Sequence, residues 1–130
     1  MAGTLLLDSE GLSRLYLQEP RMLARVEVAR QEGIRIGTTT MTRLEAEQAR
    51  VHRSRIAWTL SHIDVHPITR EVGDGAAELL RTHGLSGHKH AIDATLAAIA
   101  RSAPAPVTVA TSDPEDLELL CGPAIEILRL

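Results

Sequence analysis

Four acidic residues stand where carboxylates could share a metal ion. Asp8 ends the apolar run Thr4–Leu7, and Glu45 follows the β-branched segment Ile34–Thr40. Asp93 interrupts the apolar stretch Ala91–Ala100, and Asp113 directly follows Val107–Ser112. Three of the four adjoin the C-terminal end of a predicted strand, the edge at which open α/β sheets bind ligands. Carboxylates gathered there repel one another unless a cation neutralises them. Hard divalent cations such as Mg²⁺ take oxygen ligands. The pattern points to a metal site, with Asp8, Asp93 and Asp113 as ligands and Glu45 as a ligand or the residue that positions water.

Each acid also has a local role open to it. An Asp after a strand can cap the next helix, worth roughly 1 kcal/mol, and Asp8 is so placed. Asp113 precedes Pro114, the order of an N-cap and a first helical residue. Capping and ligation are compatible, because a carboxylate has two oxygens. Asp93 is harder to assign locally. It stands among Ile92, Ala94, Leu96, Ala97 and Ala100, where Asp is a poor helix former and an unpartnered buried charge is costly. His90, three residues earlier, offers it a partner. Glu45 and Glu47 would point about 200° apart on a helix, so only one can face the site. Glu45, nearer the strand, is preferred, with Glu47 as the fallback. Asp116, one turn beyond Asp113, is a supporting fifth acid, and a helix N-terminus favours acids there without a metal.

The elements that must position these residues follow from periodicity and punctuation. Leu5–Asp8 reads as a short buried strand. Ser9 caps a helix to about Gln18, with Leu12, Leu15 and Tyr16 on one face. Pro20 opens a second helix, with Met22, Leu23, Val26 and Ala29 or Arg30 at helical spacing along one face and Gly33 as its stop. Ile34–Thr40 is a strand. A long helical region spans about Thr42–Ser61, broken near His52. Val65–Ile68 is a third strand, and Thr69–His83 a helix stopped by Gly84. Leu85–His90 reads as a polar loop and Ala91–Ser102 as a buried helix. Pro104 and Pro106 mark a tight link. Val107–Thr111 is a strand, Asp113 opens a short helix to about Cys121, and Ile125–Leu128 is a last strand. Strands alternating with helices imply a parallel sheet covered on both faces.

A chain of 130 residues suits one domain, 1–130, with a sizeable core. It is 44% hydrophobic and 24% charged, near the globular average. No apolar run approaches the roughly 18–20 residues of a membrane span. The N-terminus lacks the basic region of a signal peptide. The single cysteine, Cys121, excludes an intramolecular disulfide and a thiolate cluster. These features lead us to expect a cytoplasmic protein. A net charge of −3 argues against a basic coat protein for nucleic acid but not against a nuclease. Lys89 is the one lysine; the other basic side chains are arginines, which make planar, bidentate phosphate contacts. One Trp, one Tyr and no Phe leave little for base stacking. No glycine-rich phosphate loop follows the first strand, and the histidines and serines form no triad or zinc spacing.

The order of these residues resembles a PIN domain. The resemblance is carried by Leu5–Ser13 around Asp8, by Gly87–Ala98 around Asp93, and by Val109–Leu117 with its Thr111, Asp113, Asp116 pattern. It covers nearly the whole chain and is similar to the small VapC-type toxins of bacterial toxin–antitoxin pairs. The resemblance implies an α/β/α sandwich around a parallel sheet of four to five strands, and metal-dependent endoribonuclease activity with Mg²⁺ or Mn²⁺. It matches Asp8, Asp93 and Asp113 to three of the family's acids and Thr111 to a hydroxyl residue that supports Asp113. Glu45 best matches the second acid. Leu117 stands where a Phe is frequent, and the segment around Glu45 is an unusual version of its motif. The resemblance also implies a homodimer and an antitoxin that inserts a segment, such as an arginine, into the acidic groove. The apolar, Arg-rich segment Met22–Arg30 and the region around Ile56, Trp58 and Leu60 suit an interface as well as a core.

In such a site RNA is the substrate, with Arg14, Arg43, His88, Lys89 and His90 as candidates for its backbone. Two other classes compete. A catalytically inactive PIN-like binding or regulatory module keeps the fold without binding metal. A receiver-like signalling domain needs a lysine at its last strand, whereas Lys89 precedes a helix.

Overall fold

The computed structural model describes residues 3–130. Five strands, β1 (Thr4–Leu7), β2 (Arg35–Thr39), β3 (Asp64–His66), β4 (Val107–Thr111) and β5 (Glu126–Arg129), form one parallel sheet in the order β3-β2-β1-β4-β5. The chain winds outward from β1 in one direction and then in the other. The crevice beside β1 at the strand C-termini is therefore the switch point where such sheets bind ligands. β1, paired on both edges, is buried along its whole length, as a central parallel strand must be.

Among the described residues seven helices cover the sheet: α1 (Ser9–Tyr16), α2 (Pro20–Gln31), α3 (Thr40–Glu45), α4 (Arg53–Ser61), α5 (Arg70–Thr82), α6 (Gly87–Ser102) and α7 (Pro114–Cys121). Alternation along β1 sends Leu5 and Leu7 to one face, where they meet Leu15, Met22, Val26 and Ile36. Leu6 faces the other side, with Leu96, Val109, Leu117 and Leu120. The expected α/β architecture with a covered parallel sheet is the one observed. No described helix is long and apolar enough to cross a membrane.

Several elements differ from expectation. The cap of α1 is Asp8, not Ser9; its carboxylate accepts from Gly11 N. The long helical region breaks near His52 as expected, with His52 capping α4 from Arg53, but α3 already ends at Glu45, so the interruption is longer than a single break. Between them Ala46 and Val51 are buried against Leu12, Tyr16 and Ile56, which satisfies the apolar pattern without a continuous helix. Leu23, placed by its spacing on the apolar face of α2, is 40% exposed. The segment Gly87–His90, expected as loop, is the first turn of α6, closed by the His90 N–H donating to the Ser86 carbonyl at 3.0 Å. Gly33 (φ 76°) and Gly84 (φ 64°) end α2 and α5 in the left-handed conformation that favours glycine.

Candidate metal centre

Asp8 sits where β1 meets α1, and its carboxylate is held from three sides. Oδ1 accepts from Gly11 N at 2.8 Å, and Oδ2 accepts from Thr111 Oγ1 at 2.7 Å and Ser112 N at 3.1 Å. The Thr111 hydroxyl accepts in turn from Asp113 N at 2.9 Å. One buried oxygen thus ties the ends of β1 and β4 together. Thr111 reaches Asp113 through its backbone N–H and gives its own proton to Asp8. Asp113 opens α7 without a side-chain capping bond, and its side chain is exposed at the sheet edge.

Asp93 projects from α6 into this acidic edge. Its carboxyl is pushed up to about 6, first by burial and then by the negative charges of Asp116, Glu45, Asp113 and Asp8. The charges of Asp8, Glu45, Asp113 and Asp116 are therefore all felt at Asp93. The two glutamates separate. Glu45, the last residue of α3, contributes to the field at Asp93. Glu47 lies beyond α3 and acts instead on Tyr16, whose hydroxyl burial pushes up to about 12.

Among the described residues, ligand atoms converge at a different trio from Asp8, Asp93 and Asp113. One ligand atom each of His90, Asp93 and Asp116 lies within 4.8 Å of the others. His90 Nδ1 is 3.4 Å from Asp116 Oδ2, yet off hydrogen-bonding geometry, so this buried nitrogen has no hydrogen-bond partner. The donor set fits a divalent cation. It combines two carboxylates, an imidazole with an orphaned nitrogen, and a surplus of negative charge that resists ionisation of Asp93. From the sequence Asp116 had only a supporting place, and His90 was both a candidate partner of Asp93 and a candidate contact to the RNA. The signal was present in part, since residues three apart share one helix face and His90 and Asp93 are so spaced. Asp116 joins them only through the packing of α7 on α6.

The remaining basic candidates divide by environment. His88 and Lys89 are exposed on the first turn of α6, and Arg43 on the last turn of α3. Arg14 is engaged, with Nε 3.4 Å from Glu10 and 3.5 Å from Glu19. An apolar cleft of about 250 Å³ between α1, α2 and α4, lined by Leu15, Leu23, Val26, Trp58 and Ile63 among others, contains none of the site acids.

Neither a protein-family model nor a curated protein sequence matches the chain. Among solved structures, the chain is similar to VapBC2 from Rickettsia felis, whose crystal structure is bound to a DNA fragment from their promoter. The TM-score is 0.66 at 13% identity, covering 98% of this chain and 98% of that one. The likeness shows the fold, a VapC-like PIN architecture, which is the one the sequence resemblance implied.

Proposed function

We propose that the chain is a metal-dependent endoribonuclease and the toxin of a type II toxin–antitoxin pair. The observation that carries the reading is the convergence of one ligand atom each of His90, Asp93 and Asp116 within 4.8 Å, at an edge where the charges of Asp8, Glu45 and Asp113 also reach Asp93. Such crowding opposes folding unless a cation offsets it. Asp93, Asp116 and His90 would hold Mg²⁺ or Mn²⁺, and Asp113, exposed and without a side-chain capping bond just after β4, would add an oxygen. When bound, the ion neutralises charge on the scissile phosphate and acidifies water. Asp8, immobilised by three donors, sets the spacing of the β1 and β4 ends. Glu45, exposed on the rim, orients water by accepting a hydrogen bond from it. His88 and Lys89 meet the RNA backbone at the start of α6, and Arg43 lies across the edge on α3. Arg14, held by Glu10 and Glu19, has a weaker claim.

The partners belong to the same reading. The similar structure is of VapBC2, which supports an antitoxin partner here, with a homodimer as the working assembly and the cytoplasm as its place. The test is incubation of purified protein with a pool of structured RNAs in Mg²⁺, Mn²⁺ or EDTA, beside Asp113→Asn. Discrete fragments that require metal and vanish in the variant support the proposal. No cleavage and no Mn²⁺ binding by calorimetry would favour the inactive binding module.

A further inference from the structure

We propose that His90 is a nitrogen ligand of the cation site and makes it selective for borderline transition ions over Mg²⁺. The inference rests on the metal reading above and deepens it. An imidazole nitrogen that is buried and unbonded is unfavourable unless something occupies the space it faces. His90 Nδ1 is such an atom, and it faces Asp116 Oδ2 at 3.4 Å without hydrogen-bond geometry. Nδ1 is therefore a buried polar atom that no protein group satisfies. A cation shared with Asp93 and Asp116, whose ligand atoms lie within 4.8 Å of it and of each other, would satisfy it.

The chemical consequence is a choice of ion. Mg²⁺ demands oxygen ligands and keeps much of its water. Imidazole suits Ni²⁺, Co²⁺ and Zn²⁺, with affinity rising from Mn²⁺ towards Ni²⁺. An all-carboxylate edge would accept Mg²⁺ readily; one imidazole in the trio tilts it towards Mn²⁺ and, more strongly, Co²⁺ and Ni²⁺. His90 is well placed for the role because its side chain is only 18% exposed, whereas His88 on the same turn faces solvent.

The test is calorimetric titration of the full chain with Mg²⁺, Mn²⁺ and Ni²⁺, for the wild type, His90→Asn and His88→Asn. Asn keeps an oxygen near the position of Nδ1. We expect His90→Asn to lose Ni²⁺ affinity by at least the roughly 10–100-fold that loss of a supporting partner costs a metal site. Mg²⁺ affinity should stay within about twofold, and His88→Asn should match the wild type. Equal losses for all three ions, or none, would overturn the assignment. A wild type that binds no divalent ion would overturn the metal reading itself. A measurement without substitution guards against a variant that fails to fold. In ¹⁵N spectra of the wild type, Zn²⁺ should move the Nδ1 resonance of His90 and leave that of His88 in place; an unmoved His90 resonance would refute ligation.

Discussion

Replacing Asp93 by Asn removes a charge that the folded state holds at a disadvantage. Its carboxyl rises from 3.8 to about 6 on folding. At about 1.4 kcal/mol per pH unit, that is about 3 kcal/mol before solvent screening, and about 1–2 kcal/mol once screening of this half-buried group is allowed for. The sign follows from proton binding. Between 3.8 and about 6 the folded state holds the proton and the unfolded state has lost it, so stability falls as pH rises through this window. Asp93→Asn should therefore match the wild type near pH 3.5, gain on it up to about pH 6.5, and keep a constant lead above. For a chain of this size the lead corresponds to about 4–7 °C in Tm. Differential scanning calorimetry in EDTA across pH 3.5–8 reads it directly. Saturating Mn²⁺ should shrink or reverse the lead, because about 100 Kd of ligand stabilises the binding form by about 2.7 kcal/mol. A lead independent of pH, or a variant less stable than wild type at pH 7.5, would refute the reasoning and make Asp93 a structural residue.

Thr111→Val leaves Asp8 Oδ2 short of one donor and Asp113 N without an acceptor, so urea denaturation should show a loss of about 1–3 kcal/mol that Thr111→Ser largely restores. Lys89→Ala should weaken RNA binding and lower its salt dependence by about 0.7 in log–log slope per lost phosphate contact; Arg14→Ala, whose charge is already met by Glu10 and Glu19, should do so far less, as fluorescence anisotropy with labelled RNA would show. Cys121 is buried and its thiol is pushed up to about 11 by that burial, so iodoacetamide at pH 8 should modify it at the rate of unfolding and far faster in denaturant.

The strands beside the site were legible because their chemistry is local. β1 is a bare apolar run, β2 and β4 are β-branched, and a buried parallel sheet needs little more. The first turn of α6 was not, because Gly87–His90 carries no apolar period and its side chains are set by what they meet. The break after Glu45 was hidden for the opposite reason: Ala46 and Val51 keep the apolar count of a helix while being buried from a loop. The acids at strand ends could be found by position alone, but their division of labour could not. Asp8 accepts three hydrogen bonds from two other segments, and Asp116 converges on Asp93 across two helices. Glu45 and Glu47 were separable only once α3 was seen to end between them.

The most direct test of the central claim is the chemistry of the RNA ends left by the purified protein in Mn²⁺, run in water enriched in ¹⁸O beside an EDTA control and Asp93→Asn. Attack by water at a carboxylate-held cation predicts ¹⁸O in the product phosphate, no 2′,3′-cyclic phosphate, and no fragments in either control. Cyclic phosphate ends that persist in EDTA would contradict it, as would an intact pool under conditions where Mn²⁺ is bound at the acidic edge.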